Sequence, residues 1–182
     1  MVFLSDTRRC SKLYFLRHGL AGQHGDPQYK DDSLRPLTPQ GRDKMHGAAL
    51  GMQAMGLLFD AFLSSPYLRA QETAEIVAEA YHIKKKEIFL TENLLPPASI
   101  EELLKEIHSQ FPKAKNILLV GHEPHLSQMI STLLESDRPL PIDFKKGALC
   151  SVTLQQAQPH PSAVLNWLLT STQLGLMAKE KQ

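Results

Sequence analysis

Leu13-Tyr14-Phe15-Leu16-Arg17-His18-Gly19 is the stretch that decides how this chain folds. Four apolar or aromatic residues followed at once by two basic side chains and a glycine predict a buried strand that ends in a polar loop. The pattern recurs at Asn116-Ile117-Leu118-Leu119-Val120, which runs into Gly121-His122. A third run, Phe59 to Ser65, is stopped by Pro66 and followed by Tyr67-Leu68-Arg69. Three polar sites therefore stand at three predicted strand ends.

Helical patterns lie between the strands. Ala21 to Leu37 holds Gly22, Gly25, Asp26, Pro27, Asp31, Asp32 and Pro36 and reads as a loop. Thr38 as N-cap and Pro39 at the first helical position then open a helix to about Gly56. Ala70, Thr73, Ala74, Val77, Ala78 and Tyr81 recur at helical spacing, predicting a helix from about Tyr67 to Tyr81. A short strand follows near Ile88 to Leu90. Ser99 and Glu102 form a capping box ahead of Ile100, Leu103, Leu104, Ile107 and Phe111. A helix from Leu126 to Leu134 and strands at Ala148–Leu154 and Val164–Thr170 complete the pattern before a polar, frayed tail. The alternation predicts an α/β fold, a three-layer sandwich whose mostly parallel central sheet is flanked by helices and whose ligands sit at the carboxyl ends of the strands. Residues 1–182 read as one domain, with disordered termini at about 1–11 and 172–182.

Composition narrows the classes. The 182 residues, 42% of them hydrophobic, suffice for one core. Twenty Lys+Arg stand against 19 Asp+Glu, a formal charge of +1, and offer no basic face for nucleic acid or a membrane surface. Cys10 and Cys150 form no CxxC and read as free thiols of a reducing compartment. No run of about 18 apolar residues spans a bilayer, and Met1 to Lys12 lacks the apolar stretch of a signal peptide. A soluble, cytoplasmic monomer is expected. Neither a G-x-x-x-x-G-K-[ST] nor a strand-coupled G-x-G-x-x-G occurs, which removes the common nucleotide-binding readings.

The three strand ends bring together residue types suited to an anion. A phosphate dianion needs several donors, and the planar fork of Arg matches its oxygens, so Arg17 and Arg69 are candidates to bind one. Gly19 lets backbone approach a ligand closely. A nucleophilic imidazole must be neutral at the attacking nitrogen and fixed in one tautomer by a hydrogen bond at the other, and nearby guanidiniums favour the neutral form. Any one of these residues alone reads more simply as a surface or packing residue. Their ordered convergence does not.

L-x-F-L-R-H-G, then S-S-P-x-x-R-A-x-E-T-A, then V-G-H resembles the histidine phosphatase superfamily, which includes phosphoglycerate mutases and acid phosphatases. Arg35-Pro36-Leu37-Thr38-Pro39-Gln40-Gly41, the short connections and the closing strands from Gly147 to Thr170 look like the small bacterial phosphohistidine phosphatases of the SixA type. The resemblance implies a phosphoglycerate mutase-like sandwich in which His18 is the nucleophile and Arg17, Arg69 and His122 bind the phosphate. Arg35 and Thr38 would border the site; a loop charge and an N-cap are their simpler readings.

Larger members carry a carboxylic acid that protonates a poor alkoxide leaving group. In the matching segment, Thr91 to Ser99, Glu92 is the only carboxylate and hence the candidate acid. A phosphohistidine expels a much better leaving group, so an open site poor in acids suits a phosphohistidine on a signalling or phosphotransfer protein. The alternatives are a small phosphomonoesterase or sugar-phosphate phosphatase with Glu92 as acid, and a phosphoprotein-binding module without catalysis. His122 and His125 form an H-x-x-H pair, but without H-E-x-x-H or a Cys cluster no metal site is expected, and no cofactor. His24, His46, His82, His108 and His160 read as surface or packing residues, and Lys84-Lys85-Lys86 as a solvated turn.

Overall fold

A computed structural model describes residues 11–155 and 162–179. Its strands are β1 (Lys12–Arg17), β2 (Ala61–Ser64), β3 (Ile88–Leu90), β4 (Asn116–Gly121), β5 (Leu149–Gln155) and β6 (Ser162–Leu169). The α-helices are α1 (Pro39–Ala54), α2 (Leu68–Ala80), α3 (Ile100–Gln110), α4 (His125–Leu133) and α5 (Ser171–Lys179). One sheet in the order β3-β2-β4-β1-β5-β6 joins all six strands. β1 to β4 run parallel, while β5 and β6 are antiparallel to their neighbours. Among the described residues no helix is long and apolar enough to cross a membrane.

The central strands are apolar along Leu13–Leu16, Ala61–Leu63 and Ile117–Val120 because both of their faces are covered there. Leu13 and Phe15 of β1, with Leu63, Ile117 and Leu119, pack against Leu103, Ile107, Leu126 and Ile130 of α3 and α4. Tyr14 and Leu16, with Phe62, Leu118 and Val120, pack against Met45, Met52, Ala74, Val77 and Leu174 of α1, α2 and α5. Alternate residues of each strand thus serve opposite layers, and the expected three-layer sandwich follows.

The loop from Ala21 to Leu37 is tied down more firmly than its composition suggests. Ala21 and Leu37 pair as an isolated bridge, and Gly22 N–H donates to Pro36 C=O at 3.1 Å. Inside it Asp31 caps a short 3-10 helix, Asp32–Leu34. Thr38 caps α1 as expected, its hydroxyl accepting from Gly41 N–H at 3.0 Å.

The C-terminal expectation needs correction. Residues 171–179 form α5 rather than a frayed tail: Leu174 is fully buried and α5 lies along α1. Gly51 permits the contact, since a Cβ there would stand 1.8 Å from the Leu174 carbonyl oxygen. At the other end Ser11 accepts from Leu154 N–H at 2.8 Å; the expectation for residues 1–10, Cys10 included, lies outside the described residues, as does that for His160.

Gly51→Ala forces the two helices apart and should lower stability by about 1–3 kcal/mol, the usual cost of overpacking, read as a fall in Tm. An unchanged Tm would contradict the docking of α5.

Candidate active site

β2, β4 and β1 are adjacent, and their carboxyl ends stand level: Arg17 pairs with Gly121, and Ser64 with Val120. The residues that leave these strands, His18, Ser65 and His122, are therefore neighbours. His18 N–H donates to Gly121 C=O at 3.0 Å, and Ser65 N–H to Val120 C=O at 2.9 Å. Arg69 enters from the first turn of α2. From the opposite side, Gly147 N–H donates to the Arg17 and His18 carbonyls at 3.0 and 3.1 Å, docking the segment before β5 against the same strand end.

His18 is buried, and its Nδ1 lies 2.7 Å from the Gly19 carbonyl oxygen. A carbonyl only accepts, so Nδ1 carries the proton and Nε2 the lone pair. Arg69 Nε–H donates to that Nε2 at 3.3 Å. Burial first, then the neighbouring His122, and then Arg69 and Arg17, bring the pKa of His18 down to about 2, against the Gly19 hydrogen bond, which raises it. A neutral imidazole is the result, its unprotonated Nε2 held by the Arg69 hydrogen bond. Gly19 N–H donates to Thr73 Oγ1 at 3.0 Å, and a Cβ there would meet Met45 at 2.8 Å.

His122 stands with its ring 5.1 Å from that of His18. Its Nε2 lies 2.8 Å from Ser65 Oγ, which already accepts from Tyr67 N–H at 3.3 Å. A serine hydroxyl can donate to Nε2 or accept a second hydrogen bond from it, so the contact fits either tautomer of His122, with the proton on Nε2 or on Nδ1. That Nδ1 is buried and has no partner among the described residues. Burial and the Arg69 charge lower the pKa of His122 to about 3, outweighing the opposite pull of Asp32. Tyr67 packs its ring 5.1 Å from His122 and carries the Arg69 guanidinium 5.0 Å over its face.

Arg17 donates from Nη1 to the Phe144 carbonyl at 2.6 Å, while its Nε is buried and unpartnered among the described residues. Burial lowers its pKa against the charges of Glu123 and Asp143. Arg69 meets Asp32 twice, Nη1 on the backbone carbonyl at 2.8 Å and Nη2 on Oδ2 at 3.0 Å. Arg35 is buried and wholly engaged: Nε and Nη2 reach Asp32 Oδ1 at 3.0 and 2.9 Å, and Nη1 reaches Gly22 C=O at 2.7 Å. Partial burial would raise the Asp32 carboxyl, but the hydrogen bond from His24 and the Arg69 and Arg35 guanidiniums outweigh it and hold it at about 2. Lys146 is exposed, yet partial burial and then Arg17, Arg35 and Arg69 lower its pKa, so its ammonium shares their field.

Four of the eight residues singled out in the sequence, Arg17, His18, Arg69 and His122, form one cluster. Arg35 joins it through Asp32. The Thr38 hydroxyl is engaged by its cap and by the Leu20 carbonyl at 3.2 Å. Glu92 is exposed at the start of a 3-10 helix after β3, where it lines a shallow depression with Pro96 and Pro97, and no hydrogen bond joins its carboxylate to the cluster. Sequence reasoning missed Asp32, Ser65 and Lys146. Only Ser65 stood inside a quoted motif. Among the described residues no group of three or more His, Cys, Asp or Glu is arranged to hold a metal ion. Burial raises the Cys150 thiol to about 12, which leaves it protonated and unreactive.

The chain is similar to known proteins in sequence and fold. The family model for the histidine phosphatase superfamily (branch 1) matches residues 13–94. An uncharacterized protein of Picosynechococcus sp. is 35% identical over 164 residues, 88% of this chain and 96% of its own length. The phosphohistidine phosphatase SixA of Escherichia coli is 25% identical over 90% of this chain and 96% of its own. The fold matches the solved structure of the protein histidine phosphatase SixA complexed with tungstate, at a TM-score of 0.75 and 24% identity, over 90% of this chain and 99% of that one. With RHG and VGH at neighbouring strand ends around a neutral His18, the chain belongs to the histidine phosphatase superfamily, is SixA-like within it, and is a phosphatase.

Proposed function

We propose that the chain removes a phosphoryl group from phosphohistidine on a protein, through a covalent intermediate on His18. The observation that carries this reading is a pair of buried nitrogens without partners among the described residues, the Arg17 Nε–H donor and His122 Nδ1, beside a neutral imidazole. Buried donors without acceptors are costly unless a ligand supplies them. A phosphoryl group brings oxygens for Arg17 Nε–H, and for His122 in the tautomer that carries its proton on Nδ1.

Nε2 of His18 attacks phosphorus in line, forming an N–P bond as the P–N bond to the substrate imidazole breaks. The departing ring keeps the bonding pair and takes a proton from solvent. Arg17, Arg69 and His122 donate to the non-bridging oxygens as charge builds on them. Water then attacks phospho-His18, the P–Nε2 pair returns to the ring, and inorganic phosphate leaves with the excess proton passing to solvent. An imidazole departs far more readily than an alkoxide, so the exposed position of Glu92, away from the cluster, suits P–N over P–O cleavage. The E. coli relative named for phosphohistidine supports the same substrate class. We place the protein in the cytoplasm, as a monomer acting on a phosphotransfer or phosphocarrier protein.

Turnover of a phosphohistidine-bearing phosphotransfer domain should exceed that of p-nitrophenyl phosphate and sugar phosphates in a side-by-side assay, and Glu92→Gln should leave the preference unchanged. Faster cleavage of sugar phosphates, lost in Glu92→Gln, would move the assignment to a small-molecule phosphomonoesterase. Arg69→Ala should cost about 2–4 kcal/mol in kcat/KM, as loss of one charge-stabilising donor does, and Arg69→Lys should not restore it. A full rescue by Lys would reduce Arg69 to a point charge.

Neutral burial of His18 and His122 also has a stability signature. Both folded pKa values lie below the ordinary 6.5, so under acid the unfolded chain binds protons that the folded one refuses. Their contribution is complete above pH 6.5 and is lost as pH falls towards their folded values of about 2 and 3. Denaturant melts should show stability falling by about 2–3 kcal/mol between pH ~7.5 and ~5.5, most of it restored in a His18→Gln, His122→Gln double variant. Equal pH dependence in both proteins would contradict neutral burial.

A further inference from the structure

Asp32 is the one carboxylate that touches the phosphate-binding guanidiniums among the described residues. Its side chain is 36% exposed while those of Arg35 and Arg69 are 9% and 7% exposed, so it stands on the solvent side of a buried cationic pair. Every edge of Arg69 is engaged: Nε on His18 Nε2 at 3.3 Å, Nη1 on the Asp32 carbonyl at 2.8 Å, Nη2 on Asp32 Oδ2 at 3.0 Å. A phosphoryl group that draws on Arg69 must share this guanidinium with Asp32. The bound dianion and the carboxylate then sit on one side chain.

We propose that Asp32 is a specificity-determining residue: its fixed negative charge at the rim selects phosphoryl groups whose leaving group carries no anionic group beside the phosphorus, and keeps the product phosphate from being held. The inference rests on the phosphoryl-binding role of the cluster and deepens it by naming the charge class of the leaving group. A carboxylate or second phosphate next to the scissile bond faces Asp32 across the shared guanidinium and is repelled, whereas a neutral or protonated imidazole is not. The same charge offsets a pocket that gathers Arg17, Arg35 and Arg69 with Lys146 in their field, a set that would otherwise retain inorganic phosphate. The reach of the Asp32 charge into the site is visible at His122, whose pKa it raises.

Asp32→Asn keeps the shape and one acceptor for the guanidiniums but removes the charge; Asp32→Glu keeps the charge. The test compares kcat/KM on phosphoimidazole with that on phosphoglycolate, whose carboxylate lies close to its phosphoryl group, and measures inhibition by inorganic phosphate. In Asp32→Asn the phosphoglycolate-to-phosphoimidazole ratio should rise about tenfold or more, and the Ki for phosphate should fall by about tenfold. Asp32→Glu should stay near the wild type in both. An unchanged ratio, or weaker phosphate binding in Asp32→Asn, would overturn the proposal and leave Asp32 as a scaffold for the two arginines. The phosphohistidine reading fails separately, if wild-type protein does not cleave phosphoimidazole, and the phosphate Ki still decides the role of Asp32.

Discussion

The contact between His18 Nδ1 and the Gly19 carbonyl, at 2.7 Å, sets the chemistry of the whole site. Because the acceptor is backbone, the tautomer of the imidazole is written into the path of the chain after β1 and does not depend on a neighbouring side chain. It leaves the lone pair on Nε2, where Arg69 Nε–H donates to it, and burial beside guanidiniums keeps that lone pair unprotonated. An exposed histidine would be partly protonated at neutral pH and a poor nucleophile. The three-layer fold supplies the burial, since the carboxyl ends of β2, β4 and β1 lie side by side with helices packed on both faces of the sheet.

His122 follows a related logic with a different orienting group. Ser65 on the neighbouring strand end orients the ring through Nε2 and leaves Nδ1 without a partner among the described residues. The arginines surround the two histidines, and Asp32 holds two of these, Arg35 and Arg69, at the rim.

Much of this was legible in the sequence because short motifs and strand periodicity coincide. Runs such as Leu13–Leu16 and Ile117–Val120 are apolar or aromatic at every position since both faces are buried, and each leads directly into the residues that cluster. Ser99 and Glu102 do form the expected capping box at the start of α3. Other features were hidden for physical reasons. Asp32 sits in a loop of turn-forming residues, where nothing in the local pattern separates a carboxylate that holds two arginines from one that faces water. α5 was missed because Leu174 is its one fully buried residue, and its partner is a glycine 123 residues earlier, at Gly51. Lys146 carries no pattern at all, and only the docking of its segment against Arg17 and His18 puts it in the field of the site.

The central claim is that the phosphoryl group passes through Nε2 of His18. Mixing the enzyme with a phosphohistidine-bearing protein for milliseconds, quenching in alkali and mapping the peptides by mass spectrometry tests it directly. The account predicts a phosphoryl group on the peptide containing His18, at the Nε2 position, absent when His18 is replaced. Turnover at the normal rate with no label on His18, or with label on another residue, would contradict it.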